Sequence, residues 1–246
     1  MTKLAVVTGG NSGIGEACAW RFIREGYEVV FCGRREMRNR ELCERIREAG
    51  GQAHGYAVDL RDSRALAEFF QQIAMDHSPV NCLINSIGIE GTPFTLTEDY
   101  CDAVFDEVMA TNVKVPWQCM KAVLPVMRSV GSGSIVNVAS LAGIRASVTG
   151  GSVYSASKHG VVGMTRAVAR EYAPFGIRIN AVCPAFVRTP LSEGILGDGL
   201  EAMGSSHPLN RICEAEEVAN AVYWLSSHDA SFVTGIAMPV DGGTQA

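Results

Sequence analysis

Leu4-Ala5-Val6-Val7-Thr8 runs directly into Gly9-Gly10-Asn11-Ser12-Gly13-Ile14-Gly15, and an amphipathic stretch follows over 14–25. The first five residues have the length and apolar character of a strand covered on both faces. The glycines let the main chain turn tightly and approach another group closely. A helix starting there aims its free N–H groups and dipole at the same point, as anion-binding turns do. The spacing is Gly-x-x-x-Gly-x-Gly rather than Gly-x-Gly-x-x-Gly, and no Gly-Lys-Ser/Thr ending marks an NTP loop. A plain strand-to-helix turn would use the same glycines, and the rest of the chain decides between the two.

Strand-length apolar runs recur at 28–32, 53–58, 81–87, 134–139, 178–183 and 236–240. Helical patterns lie between them near 36–49, 63–75, 98–128, 152–173 and 214–227. This alternation predicts one α/β domain over residues 1–246, a doubly wound Rossmann fold with a seven-stranded parallel sheet and helices on both faces. Only 185–213 lacks clear periodicity. It is expected to be a substrate lid, with a variable surface loop as the alternative.

The 246 residues carry 21 basic and 26 acidic side chains, a formal charge of −5, and 47% are hydrophobic. That composition excludes disorder, and the scattered Lys and Arg argue against nucleic-acid or anionic-lipid partners. No stretch reaches the ~18 apolar residues of a membrane span, and the run after Lys3 is too short for a signal-peptide core. The eight cysteines form no Cys-x-x-Cys pair, which predicts free thiols and a cytoplasmic setting. The five histidines lie far apart with no His-x-x-His spacing, so no metal is expected.

In a dinucleotide site, an acid that selects NAD is expected about 20 residues past the glycines, at the end of strand two. That end reads Cys32-Gly33-Arg34-Arg35. Two guanidiniums suit a 2′-phosphate, so NADP (NADPH) is expected over NAD, held by Arg34 and Arg35. Glu36 is the rival NAD contact, although an acid is favoured at a helix start anyway. Gly33→Asp with Arg34→Ser is then expected to turn the preference towards NADH. Asp59, ending strand three, is expected to touch the adenine end or to cap a helix.

Tyr154 and Lys158, at i and i+4, share a helix face. A cation beside a phenol favours phenolate and makes it a better proton shuttle. Such pairs are also common on ordinary helices. Ser140 closes strand five at the sheet edge where open α/β sites form, and a hydroxyl there can hold a carbonyl oxygen. It could equally cap a turn. No Gly-x-Ser-x-Gly elbow surrounds it, which excludes a hydrolase nucleophile of that kind.

In chain order, Thr8-Gly-x-x-x-Gly13-x-Gly15, Asp59, Asn85-Ser86-Ile87-Gly88, Asn112, Ser140, Tyr154-x-x-x-Lys158, Asn180-Ala-Val-Cys-Pro184 and Asp241-Gly242-Gly243 stand together. In these marks the sequence resembles the short-chain dehydrogenase/reductase family over essentially its whole length. The resemblance implies that Tyr154 is the general acid in reduction and that Ser140 positions the carbonyl. Lys158 would lower the Tyr154 pKa and bond the nicotinamide ribose. Asn112 would bend its helix and hold a water feeding protons to Lys158. Further implied cofactor contacts are Gly9, Asn11, Ser12, Gly13, Ile14, Gly15, Asp59, Leu60, Asn85, Gly88, Pro184, Val187 and, at the carboxamide, Thr189.

Three positions depart from the family pattern. Ile87 replaces a usual alanine near the adenosine ribose, and Ala185 replaces a usual glycine near the nicotinamide. Ser140 stands one residue further before Tyr154 than is common, which predicts a bulged loop between them.

The expected reaction is reduction of a 3-oxoacyl or polyketide-like, largely apolar ketone, since Arg188 and Arg211 are the only cations in 185–213. Residues 29–34 and 154–163 look most like such ketoreductases. Phe175 stands where carrier-dependent relatives tend to carry a docking base, which speaks against a carrier-borne substrate. A sugar, polyol or sterol dehydrogenase is the alternative on the same core. A non-catalytic NADP-binding sensor or scaffold is the alternative of another class, disfavoured because all four relay residues are present. Apolar residues on several sides of the 152–173 helix predict a homotetramer, as the resemblance also implies.

Overall fold

In the computed structural model, which describes residues 2–77, 79–147, 149 and 151–246, strands and helices alternate from end to end. The order is β1 (Leu4–Thr8), α1 (Gly13–Arg24), β2 (Glu28–Gly33), α2 (Glu36–Glu48), β3 (Ala53–Ala57), α3 (Ser63–Asp76) and β4 (Val80–Asn85). Then come α4 (Asp102–Met109), α5 (Val115–Val130), β5 (Gly133–Val138), α6 (Ser152–Tyr172) and β6 (Ile177–Pro184). The chain continues through β7 (Val187–Arg188), α7 (Pro190–Leu196), α8 (Leu200–Met203), β8 (Cys213–Glu214), α9 (Ala215–Ser226) and β9 (Ala237–Val240).

Seven strands make one parallel sheet in the order β3-β2-β1-β4-β5-β6-β9, while β7 and β8 form a separate ribbon. The order reverses between β1 and β4, and ligands of such sheets lie in the crevice at the carboxyl ends there. Leu4, Val6, Val30, Leu83 and Ile135 pack on one face against residues such as Phe69, Met120 and Val168 of α3, α5 and α6. Ala5, Val7, Phe31, Ile84 and Val136 pack on the other against Phe22, Leu42 and Val222 of α1, α2 and α9. Burial of both faces explains the unbroken apolar strands, and the expected doubly wound fold is the one observed.

The expected single helix over 98–128 is instead α4 and α5 joined by a π turn, Ala110–Lys114. Pro116 has no N–H to give the Asn112 carbonyl four residues back, and its ring would crowd that carbonyl. The backbone widens, so that the Val115 N–H bonds the Ala110 carbonyl five residues back. The aperiodic 185–213 stretch contains α7, α8 and the ribbon, elements too short for a period to show.

Two histidines far apart in the sequence come together in the fold. His54 at the start of β3 and His77 just past α3 meet at the amino-terminal sheet edge, with ring centroids 4.7 Å apart. All eight cysteines are free. Among the described residues no helix is long and apolar enough to cross a membrane.

Candidate active site

Gly9 (φ +67°) and Gly13 (φ +53°) adopt left-handed backbone in the β1–α1 turn. A Cβ on Gly15 would lie 2.2 Å from the Gly9 carbonyl oxygen, so α1 begins hard against the turn. Asn11 Nδ2 donates to Asn39 Oδ1 at 2.7 Å, while Asn39 Nδ2 donates to the carbonyls of Gly33 and Tyr56. The Asn11 side chain is thereby spent on shaping the loop. Ser12 precedes α1 without a side-chain capping bond, which leaves its hydroxyl for a ligand.

Arg34, Arg35 and Arg38 are exposed at the carboxyl end of β2, and none makes an ion pair among the described residues. Partial burial, then repulsion from Arg38 and Arg34, lowers the Arg35 pKa. Glu36, the rival NAD contact, is paired with Arg40. A Cβ on Gly33 would lie 2.3 Å from Asn11 Nδ2, so Gly33→Asp would disturb the glycine loop rather than simply switch the nucleotide.

Asp59 does not cap a helix. Asp62 caps α3, accepting from the Arg64 and Ala65 N–H groups. Arg61 instead holds Asp59 at 2.7 Å and keeps its carboxyl below the usual range. Leu60 has its side chain in the core. Asn85 Nδ2 donates to Asn137 Oδ1 at 2.8 Å. For Leu60 the main chain is left to meet a nucleotide, while Asn85 commits its Nδ2 to the sheet and has a buried Oδ1 without a hydrogen-bond partner.

Asn137 Nδ2 in turn donates to Thr165 Oγ1 at 2.9 Å, tying β4 and β5 to α6. This sets α6 so that Lys158 reaches the strand ends, where its buried Nζ donates to the Val138 carbonyl at 3.1 Å. Burial lowers the Lys158 pKa to about 8, while Glu90 and Cys183 pull it upward. Burial first and Glu90 second push the Tyr154 pKa well above the ordinary phenol value, and the Ser140 hydroxyl draws it down. Lys158 Nζ lies 5.6 Å from the Tyr154 ring centroid, and it is Ser140, not Lys158, that draws the phenol down here.

Asn112 sits in the π turn and bridges two segments. Its Oδ1 accepts from the Ile89 N–H at 2.9 Å, and its Nδ2 donates to the Ile89 carbonyl at 2.8 Å and Ser157 Oγ at 3.0 Å. Gly88 is flanked by this pair: a Cβ there would stand 3.3 Å from Lys158 Nζ. Ser140 Oγ accepts from the Ala142 N–H at 3.1 Å, so it does cap a turn, and its own hydrogen is left to donate.

Ser140 and Tyr154 face a cavity of about 450 Å³ that Ile14, Pro184, Ala185, Val187 and Thr189 also line. Leu191, Ile195, Leu196 and Met203 supply an apolar flank. Thr189 caps α7 by accepting from the Ser192 N–H, and its Cβ would lie 3.2 Å from one on Gly13, joining the flank to the glycine loop. Arg188 and Arg211, the only cations read in 185–213, are turned into ion pairs with Glu201, Glu214 and Glu217. Ile87 packs against the core and lies beside Gly9. The predicted bulge before Tyr154 involves Val148 and Gly150, which lie outside the described residues.

Three ionisable lining residues escape the sequence reading: Glu90, Arg145 and His207. Glu90 accepts from Thr149 Oγ1 at 3.1 Å, and burial raises its pKa. His207 is buried and directs Nδ1 at the Arg211 carbonyl at 2.8 Å, while its Nε2 has no partner. A carboxyl two residues past Gly88 is the one local signal that could have been read.

A family model described as enoyl-(acyl carrier protein) reductase matches residues 9–245. The chain is 34% identical to 3-oxoacyl-[acyl-carrier-protein] reductase of Thermotoga maritima, over 98% of this chain and 97% of that one. The crystal structure of levodione reductase, 33% identical, superposes with a TM-score of 0.94 over 98% of this chain and 96% of its own. A variant of actinorhodin polyketide ketoreductase with NADPH, 34% identical, superposes at 0.92 over 99% and 97%. With the Ser140–Tyr154–Lys158 group at its sheet edge, this chain belongs to the short-chain dehydrogenase/reductase family and is an oxidoreductase.

Proposed function

We propose that this enzyme is an NADPH-dependent ketoreductase that turns a ketone into a secondary alcohol. The observation that carries the reading is Ser140 and Tyr154 facing one apolar-flanked cavity, with Lys158 buried behind them. The glycine turn, the free Ser12 hydroxyl and the unpaired Arg34 and Arg35 fit a dinucleotide with a 2′-phosphate. When bound, that cofactor supplies the hydride. The Ser140 hydroxyl donates to the carbonyl oxygen and holds it beside Tyr154. The Tyr154 hydroxyl gives its proton to that oxygen as it gains charge, and the Lys158 ammonium stabilises the phenolate left behind. Asn112 keeps Lys158 and the 85–89 loop in place.

Glu90, Arg145 and His207 add ionisable groups to a largely apolar wall, which favours a ketone with a second polar group over a plain hydrocarbon ketone. Arg128 stacks over Phe175 at 4.3 Å, so a base reaches that face from α5 and a carrier-borne thioester belongs among the candidates. The test is NADPH consumption across simple ketones, diketones, hydroxyketones and 3-oxoacyl thioesters. Turnover with at least one class supports the reading; no turnover with any, or a preference for NADH, overturns it.

Trp117, Ala156, Gly163 and Ala167 are exposed on α5 and α6, and Phe232, between α9 and β9, is fully exposed; we take these as two candidate faces for partner copies. Two such faces support a homotetramer. A monomer mass by light scattering at micromolar concentration would contradict it. The free thiols agree with a cytoplasmic setting.

A further inference from the structure

At the amino-terminal edge of the sheet, across the sheet from the cavity edge, three potential ligands converge from three elements. Glu28 opens β2, His54 is the second residue of β3 and His77 follows α3. Glu28 Oε1 lies 2.6 Å from His77 Nδ1 and 3.2 Å from His54 Nε2, and one donor atom from each residue lies within 4.8 Å of the others. The His77 and Glu28 side chains are largely buried, whereas the His54 side chain is 42% exposed and opens the group to solvent.

Hydrogen bonding alone leaves this group incomplete. Glu28 Oε1 makes its aligned contact with His77, and His54 Nε2, although turned inward and buried, has no hydrogen-bond partner. On the far side of the His77 ring, Tyr56 Oη lies 3.3 Å from Nε2. Without an ion, His77 Nδ1–H donates to Glu28 and Nε2 can accept from the Tyr56 hydroxyl; with an ion on Nδ1, the proton would sit on Nε2 and be donated to Tyr56 Oη. Outer partners of metal-bound imidazoles act in this way.

We propose that Glu28, His54 and His77 form a binding site for a divalent transition-metal ion, with zinc the best fit. Two imidazoles and one carboxylate are a common zinc ligand set, with the fourth position left to water. Bonds of about 2.0–2.2 Å in a tetrahedron set neighbouring ligand atoms about 3.3–3.5 Å apart. The Glu28–His54 separation is already near that, and the other two need side-chain adjustments on the order of 1 Å. The bound ion would staple β2, β3 and the end of α3 together. It touches none of the cavity-lining residues, so its effect is on stability rather than on hydride transfer.

The test uses full-length protein stripped with a chelator and then titrated with zinc sulfate by calorimetry, with cobalt(II) as a visible-absorption probe. The expected result is one ion per chain at micromolar concentration, tetrahedral cobalt bands and a raised melting temperature. His54→Ala, at an exposed ring, should abolish all three, and Tyr56→Phe should weaken binding by about tenfold or more. Glu28→Gln gives an independent removal of a ligand should the alanine variant fold poorly. Wild-type protein that takes up no ion at micromolar zinc overturns the proposal. So does undiminished one-to-one binding by folded His54→Ala or Glu28→Gln, which would place the ion on thiols instead.

Discussion

The β1–α1 turn and the α7–α8 flank border one cavity but are built by opposite means. The turn is main chain under tight steric limits: left-handed Gly9 and Gly13, and a Gly15 with no room for a Cβ. The flank is a row of interchangeable apolar side chains on short helices, with Leu191 about half exposed. A site fixed by backbone accepts one ligand shape, whereas one fixed by loose side chains can change its substrate without changing its chemistry. The nucleotide side should therefore be intolerant of substitution and the flank forgiving.

The largest effect should come from the chemistry shared by both regions. Tyr154→Phe removes the proton donor and is expected to cut kcat by about 10²–10⁴-fold with NADPH affinity largely kept. Steady-state rates and a nucleotide titration on the purified variant check this, and near-normal kcat would exclude Tyr154 as the acid. On the nucleotide side, Arg34→Ser with Arg35→Ser should lower the NADPH-over-NADH preference in kcat/KM by about 10- to 150-fold, the loss of one charged contact to a 2′-phosphate. Unchanged preference would move the phosphate contact elsewhere.

Glu90 lies between these extremes. Its charge raises the pKa of both Tyr154 and Lys158. Glu90→Gln removes that charge, makes the phenol easier to deprotonate and the ammonium harder to keep, and so shifts both groups downward. In alcohol oxidation, which needs the phenolate, the rise of kcat/KM with pH should begin at lower pH in the variant. A profile that stays put or moves up would separate Glu90 from the proton path. The smallest effect is expected on the flank: Leu191→Ala should raise KM about fivefold with kcat little changed, because about half of its side chain is buried. A large fall in kcat would mean that the flank shapes the transition state and would erase the contrast.

The same contrast explains what could be read without coordinates. Gly9, Gly13, Gly15 and the Tyr154–Lys158 pair are local features, bounded by one turn or one helical step, and their spacing survives in the sequence. The seven strands are legible because both faces are buried. Glu90 acquires its role from Thr149, 59 residues away, and His207 from a cavity assembled by several segments. No period or spacing marks either. Asn11 and Asn85 are legible as members of motifs but not as hydrogen-bond struts, because Asn39 and Asn137 come from distant strands and helices. His54 and His77 look isolated for the same reason.

The π turn before Pro116 makes Asn112 unusually sensitive to chain length. One residue more than an ordinary turn is wound into Ala110–Lys114. Removing one of the four besides Asn112 would take away the residue that widens the backbone past Pro116 and turn Asn112 about the helix axis by up to a helical step of about 100°. Asn112 would swing away from Ile89 and Ser157, and the brace beneath Lys158 would go with it. At this place in the fold a gain in helical regularity is a loss of the site.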